Sequence, residues 1–180
     1  MKKIAVIGIG NILFKDEGVG VYAAKYLEKN FSFSPSIDIV DGGTLGFKLM
    51  GYYQTYDKVV IIDTVSIEDE PGSVYNLPSD VLMGLGSYRK TAHEVEVLEM
   101  LEICSMLEKM AEVNVIGIVP KDIESVEINL TSKIKDSFLP LINEVIKEIK
   151  KEDIEVKPIK GYSLEDIIKD YNSPTAATIF

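Results

Sequence analysis

Cysteine occurs once in the 180 residues, at Cys104, histidine once, at His93, arginine once, at Arg89, and tryptophan not at all. A lone cysteine excludes an intrachain disulfide framework and any multi-cysteine zinc site within one chain. No stretch approaches the roughly 20 consecutive apolar residues that would span a bilayer, so no membrane insertion is expected. Positive charge is also scarce: 19 Lys and Arg stand against 29 Asp and Glu, a formal net charge of −10. That field repels phosphate backbones and argues against nucleic-acid binding. Low-complexity tracts and internal repeats are absent as well, which leaves a compact globular chain long enough to bury a real core. The apolar start Ile4–Ile9 follows two lysines, as in a leader peptide, but Lys15, Asp16 and Glu17 follow without a small-residue cleavage site. A buried strand accounts for it, and a cytoplasmic location is expected.

What is present alternates between two periodicities. Ile4–Ile9 is a β-branched run ending in glycine, as in a strand buried on both faces of a parallel sheet. Residues 19–28 place Val19, Tyr22, Ala23, Tyr26 and Leu27 at helical spacing. Residues 37–40 predict a second strand, stopped by Asp41-Gly42-Gly43-Thr44, and residues 45–53 a short helix. Residues 58–62 predict a third strand, ending at Asp63. Strand and helix in alternation point to a doubly wound α/β sheet. Further on, residues 72–77 suit an edge strand or hairpin arm. Residues 91–109 suit a helix capped by Thr91 with Glu94 three positions later. Residues 113–119 suit a buried strand, and residues 134–149 a last helix bent or restarted at Pro140. Residues 1–150 are expected to form one α/β domain. Residues 151–180 form a charged C-terminal extension, expected to be only partly ordered, with a small helix over 163–171 capped by Ser163.

In such a sheet, ligands bind beyond the carboxyl ends of the strands. The groups placed there are Gly8, Gly10, Asn11, Asp16 and Glu17 after the first strand, Asp41 to Thr44 after the second, and Asp63 after the third. His93 lies just inside the capped helix. A dinucleotide site fails, because the third glycine of G-x-G-x-x-G is Leu13 and two carboxylates sit where pyrophosphate needs a positive helix end. The Walker lysine pattern is missing. Glu17, Asp63 and His93 together suit a divalent ion such as zinc or nickel with coordination positions left open. The same carboxylates could instead activate a water for hydrolysis. Each residue also has a plain structural use: Glu17 at a helix start, Asp63 in a turn, His93 in a core. Cys104, mid-helix on an apolar face, suits a small buried hydrophobe rather than a nucleophile. No Ser or Cys lies in a recognised nucleophile motif with a histidine partner, which argues against an acyl-enzyme.

Taken jointly, Gly8-Ile-Gly-Asn11, Asp16-Glu17-Gly18-Val-Gly20, Asp41-Gly-Gly-Thr44, Ile61-Ile-Asp63 and His93-Glu94 resemble the [NiFe]-hydrogenase maturation endopeptidases, in order and spacing, from residue 1 to about 150. The resemblance implies an α/β/α sandwich around a mostly parallel, five-stranded sheet. It implies an endopeptidase that removes a short C-terminal peptide from the hydrogenase large-subunit precursor after nickel insertion, letting the new terminus close over the cluster. It assigns Glu17, Asp63 and His93 as metal-contacting residues. In the catalytic reading built on them, either the metal polarises the peptide carbonyl or a bound water, or one carboxylate, Asp63 as first choice, acts as general base. The nickel is carried by the substrate rather than held as a permanent cofactor, although another divalent ion can occupy the site. Asp41, Gly42, Gly43 and Thr44 are implicated in substrate recognition. The sequence departs from the family at Gly117-Ile118-Val119-Pro120, where members often carry Glu or Gln before the proline. Two rivals remain: a non-catalytic nickel-binding or precursor-holding module using the same rim, and a related peptidase with a different substrate.

Overall fold

The computed structural model describes residues 1–44, 49–84 and 110–173. Its elements in chain order are β1 (Ile4–Ile9), a 3-10 turn (Lys15–Gly18), α1 (Val19–Asn30), β2 (Phe31–Ser34), β3 (Asp38–Gly43), α2 (Leu49–Thr55), β4 (Lys58–Thr64), β5 (Val74–Pro78) and α3 (Ser79–Gly84). They continue with β6 (Glu112–Ile118), α4 (Ser132–Asp136), α5 (Phe138–Lys150), β7 (Glu155–Pro158) and α6 (Leu164–Asn172). Five strands form the central sheet in the order β3-β1-β4-β6-β5. Four run parallel, and β5 closes one edge antiparallel to β6.

Alternation of side chains along the strands builds two cores. Ile4 and Val6 of β1 with Val60 and Ile62 of β4 join α1, α4, α5 and α6 on one face. Ala5, Ile7 and Ile9 with Val59 and Ile61 join Leu49 and Tyr53 of α2 on the other. Every residue of β1 and β4 is buried, which is why Ile4–Ile9 and residues 59–62 read as apolar runs. The chain is an α/β/α sandwich with a mostly parallel, doubly wound sheet.

Several elements differ from the sequence reading. The second strand does not stop before the glycines but runs through Asp41, Gly42 and Gly43. It can do so because Gly42 is the extra residue of a bulge: Gly8 faces Asp41 and Ile9 faces Gly43. The run restarts after Asp136, with Ser137 between α4 and α5 and Pro140 in the first turn of α5, where a missing N–H costs nothing. The strand β2 was not expected. Its Phe-Ser-Phe-Ser alternation pairs antiparallel with β7, far along the chain. The expected helix over 91–109, with His93 and Cys104, lies outside the described residues, as do residues 45–48 of the helix expected over 45–53.

The segment beyond residue 150 lies against the body as far as Ser173. Asn30 is buried; its Nδ2 donates to the Tyr162 carbonyl at 3.1 Å and its Oδ1 accepts from the Tyr162 N–H at 2.7 Å. The helix α6 opens with the expected cap: the Ser163 hydroxyl accepts from the Asp166 N–H while the Asp166 carboxylate accepts from the Ser163 N–H. It buries Ile167 and Ile168 in the core beside α1.

Candidate active site at the carboxyl ends of β1 and β4

From β1 the chain moves outward to β3, then returns across β1 to β4. The reversal leaves a crevice at the carboxyl ends of β1 and β4, the position where doubly wound sheets bind ligands. The start of α1 presses onto this crevice unusually closely. A Cβ on Gly20 would lie 2.2 Å from the Ile62 carbonyl oxygen and 2.4 Å from that of Ile9. A Cβ on Gly8 would lie 2.2 Å from the Gly20 carbonyl oxygen. Gly10 has φ of +148°, and a Cβ there would meet the Glu17 carbonyl oxygen at 1.9 Å. These glycines bring the 3-10 turn carrying Glu17 down onto the strand ends.

Asp63 is the penultimate residue of β4, 3% exposed and opposite Gly117 of β6. Its Oδ1 accepts from the Thr64 N–H at 2.7 Å. Glu17 is half-buried, and its N–H donates to the Phe14 carbonyl at 3.1 Å. Two of the three acid and imidazole groups thus belong to strand-end segments that flank the same switch point. The third, His93, lies outside the described residues. Among the described residues, no three His, Cys, Asp or Glu side chains are grouped to hold a metal ion.

Asp16, grouped by the sequence reading with the acids of the rim, is fully buried. Its Oδ2 accepts from the N–H groups of Lys121 and Asp122, at 3.1 and 2.9 Å, and from the Thr131 hydroxyl at 2.9 Å. Its Oδ1 accepts from the Thr131 N–H at 2.8 Å. This carboxylate braces the loop beside Glu17 against the segment that follows β6. Its partners lie more than 100 positions away, so no local signal marks it.

On the other side of β1, Asp41, Gly43 and Thr44 form the lip of a groove of about 460 Å³. Asp41 Oδ1 accepts from the Gly43 N–H at 3.0 Å, Gly43 has φ of +48°, and the Gly10 N–H donates to the Gly43 carbonyl at 3.0 Å. The Asp41 carboxyl lies above its ordinary pKa because desolvation outweighs the Gly43 N–H and the charge of Lys25. The groove runs on to Gly10 and Asn11, immediately beside the 3-10 turn. An open groove of this kind can take an extended peptide, and carboxylates at strand ends are groups capable of acid–base chemistry.

The opposite end of the sheet carries a separate charged cluster. The buried Lys58 Nζ contacts Glu148 at 2.8 Å and Glu152 at 3.1 Å, and Asn76 donates to Glu148 at 2.8 Å. It lies at the start of β4, a full strand length from Asp63, and ties α5 to the sheet.

Comparison with known proteins follows the same lines. The sequence model of a family described as hydrogenase maturation protease matches residues 21–148. The hydrogenase 2 maturation protease of Escherichia coli is 27% identical over 158 residues, covering 87% of this chain and 96% of that protein. A hydrogenase expression/formation protein, HupD, of Bradyrhizobium diazoefficiens is 30% identical over 143 residues, 78% of this chain and 74% of that one. Among solved structures, the hydrogenase maturating endopeptidase HybD from E. coli superposes with a TM-score of 0.80 at 26% identity, covering 87% of this chain and 97% of that one.

Proposed function

The chain belongs to the hydrogenase maturation protease family, endopeptidases that hydrolyse peptide bonds, and we propose that its substrate is the nickel-loaded precursor of a [NiFe]-hydrogenase large subunit, from which it removes the C-terminal peptide. In the proposed reading the reaction takes place in the cytoplasm. Separately, among the described residues no helix is long and apolar enough to cross a membrane.

The observation that carries this reading is the pairing of strand-end carboxylates with a peptide-sized groove. Glu17 and Asp63 belong to segments that α1 and β4 bring to one switch point, and the groove lip of Asp41, Gly43 and Thr44 adjoins it across Gly10. In the proposed reaction, the nickel carried by the precursor docks against Glu17, Asp63 and His93, which sets the scissile bond over the crevice. Asp63, 3% exposed, takes a proton from a water molecule. The water oxygen adds to the peptide carbonyl, the C–N bond breaks, and the proton passes to the leaving amine. The metal arrives with the precursor, so the metal site is complete only when a nickel-loaded precursor is bound. Asp41 to Thr44 hold the peptide beside the crevice, the glycines allowing close backbone approach.

The test is cleavage of purified precursor, with and without nickel, read by intact mass. Loss of a short C-terminal peptide only from nickel-loaded precursor is the expected result, and it disappears with His93→Ala in a protein that remains soluble. Nickel-dependent complex formation without cleavage would replace this reading with that of a precursor-holding module.

A further inference from the structure

The groove beside Asp41 has a wall that only partly comes from the loop after β1. Ile12, Leu13 and Val21 line one part of it; Ile128 and Tyr171 line another. Leu13 is 49% exposed, a large apolar side chain left open to solvent at the groove. Tyr171 comes from α6, in the segment beyond residue 150, and is only half-buried. Its ring stands edge-on to Tyr22 of α1, centroids 5.4 Å apart at 72°. The next residue, Asn172, donates through Nδ2 to the Ile128 carbonyl and to the Ile168 carbonyl, each at 3.0 Å. The wall is thus fixed from behind by the core and from the side by a two-way clip. Tyr171 lines the same groove as Asp41, Gly43 and Thr44, and desolvation, with the charges of Asp41, Glu28 and Asp170, raises its hydroxyl above the ordinary value.

We propose that Tyr171 is a specificity-determining residue, its ring packing against an apolar side chain of the precursor segment that lies along Asp41 to Thr44. This rests on the assignment of that turn to substrate recognition. An apolar side chain is the fit because the lining away from Asp41 and Thr44 is mainly Ile, Leu, Val and Tyr. The groove reaches Gly10 and Asn11, and Gly10 packs against the Glu17 carbonyl of the 3-10 turn, so an extended peptide lying in the groove runs toward that turn. The segment beyond residue 150 then has a use: its strand and helix carry one aromatic ring to the substrate and hold it there.

The experiment measures cleavage kinetics of nickel-loaded precursor by the full-length protein and its Tyr171→Ala and Tyr171→Leu variants. Apolar residues on either side of the scissile bond are replaced by alanine one at a time. Tyr171→Ala is expected to raise KM about tenfold with kcat within about twofold, and Tyr171→Leu to raise it less. One precursor position should couple: its alanine variant weakens the wild-type protein but adds little to Tyr171→Ala. Unchanged KM in Tyr171→Ala overturns the proposal, as does full additivity at every precursor position, the pattern expected if the ring only steadies α6. Failure of the wild-type protein to cut any precursor strikes the functional reading instead.

Discussion

Asp16 holds Thr131 through both its backbone N–H and its hydroxyl, across 115 positions of sequence. The same carboxylate takes the Lys121 and Asp122 N–H groups, so one buried side chain sets the loop from which Glu17 projects. Asp16→Ala leaves four donors without an acceptor and should cost about 4 kcal/mol of stability. Asp16→Asn, which keeps one acceptor oxygen, should cost less. Urea unfolding measures both, and a loss below about 1 kcal/mol for the alanine variant would remove Asp16 from this bracing role.

Gly20 and Gly51 both sit in helices, yet their substitution should act in opposite directions. A methyl group on Gly20 would strike the carbonyl oxygens of Ile9 and Ile62, whereas one on Gly51 meets nothing within 4 Å. Gly20→Ala should destabilise by at least about 3 kcal/mol and lower cleavage, because the start of α1 must lift from the strand ends. Gly51→Ala should stabilise by about 0.5–1 kcal/mol through helix propensity. Thermal melts of the two variants decide the matter, and a neutral Gly20→Ala would contradict the close contact described.

The charged cluster at the far end of the sheet should show itself in acid. Burial pushes the Glu148 carboxyl up, but hydrogen bonds from Lys151, Lys58 and Asn76 outweigh it and hold the group down to about 2. Its folded pKa lies below the unfolded value near 4.5, so its stabilisation is complete above that value and is lost as the pH falls toward 2. Between about pH 6 and about pH 3 the wild type should lose about 2 kcal/mol more than Glu148→Gln. Lys58 works in the other direction. Burial lowers its pKa, but bonds to Glu148 and Glu152 raise it above the ordinary lysine value, so its contribution is lost only in strong alkali. Equal acid sensitivity of wild type and Glu148→Gln would contradict this account of the cluster.

The central strands were legible because burial on both faces leaves β1 and β4 no polar position until the strand ends, where Asp63 breaks the run. The edge strand β5 was readable from its turn, and the cap of α6 from Ser163 and Asp166. Long-range dependence hid the rest. The strand β2 exists because β7 pairs with it, and neither is strongly apolar. The bulge that carries β3 through Asp41-Gly42-Gly43 depends on its register against β1. Glu17 and Asp63 could be assigned to one rim from topology alone. Asp16 and Tyr171 could not, since their roles come from partners on distant segments.

The central claim is that Asp63 acts on the scissile bond of nickel-loaded precursor rather than merely finishing a strand. Asp63→Asn keeps an oxygen to accept the Thr64 N–H and preserves the side-chain volume, so the fold should survive. The decisive measurement is single-turnover cleavage of nickel-loaded precursor by this variant, read by intact mass beside its thermal melt. The account predicts a rate at least about 100-fold below wild type with a melt within a few degrees. Cleavage at the wild-type rate by folded Asp63→Asn would contradict it.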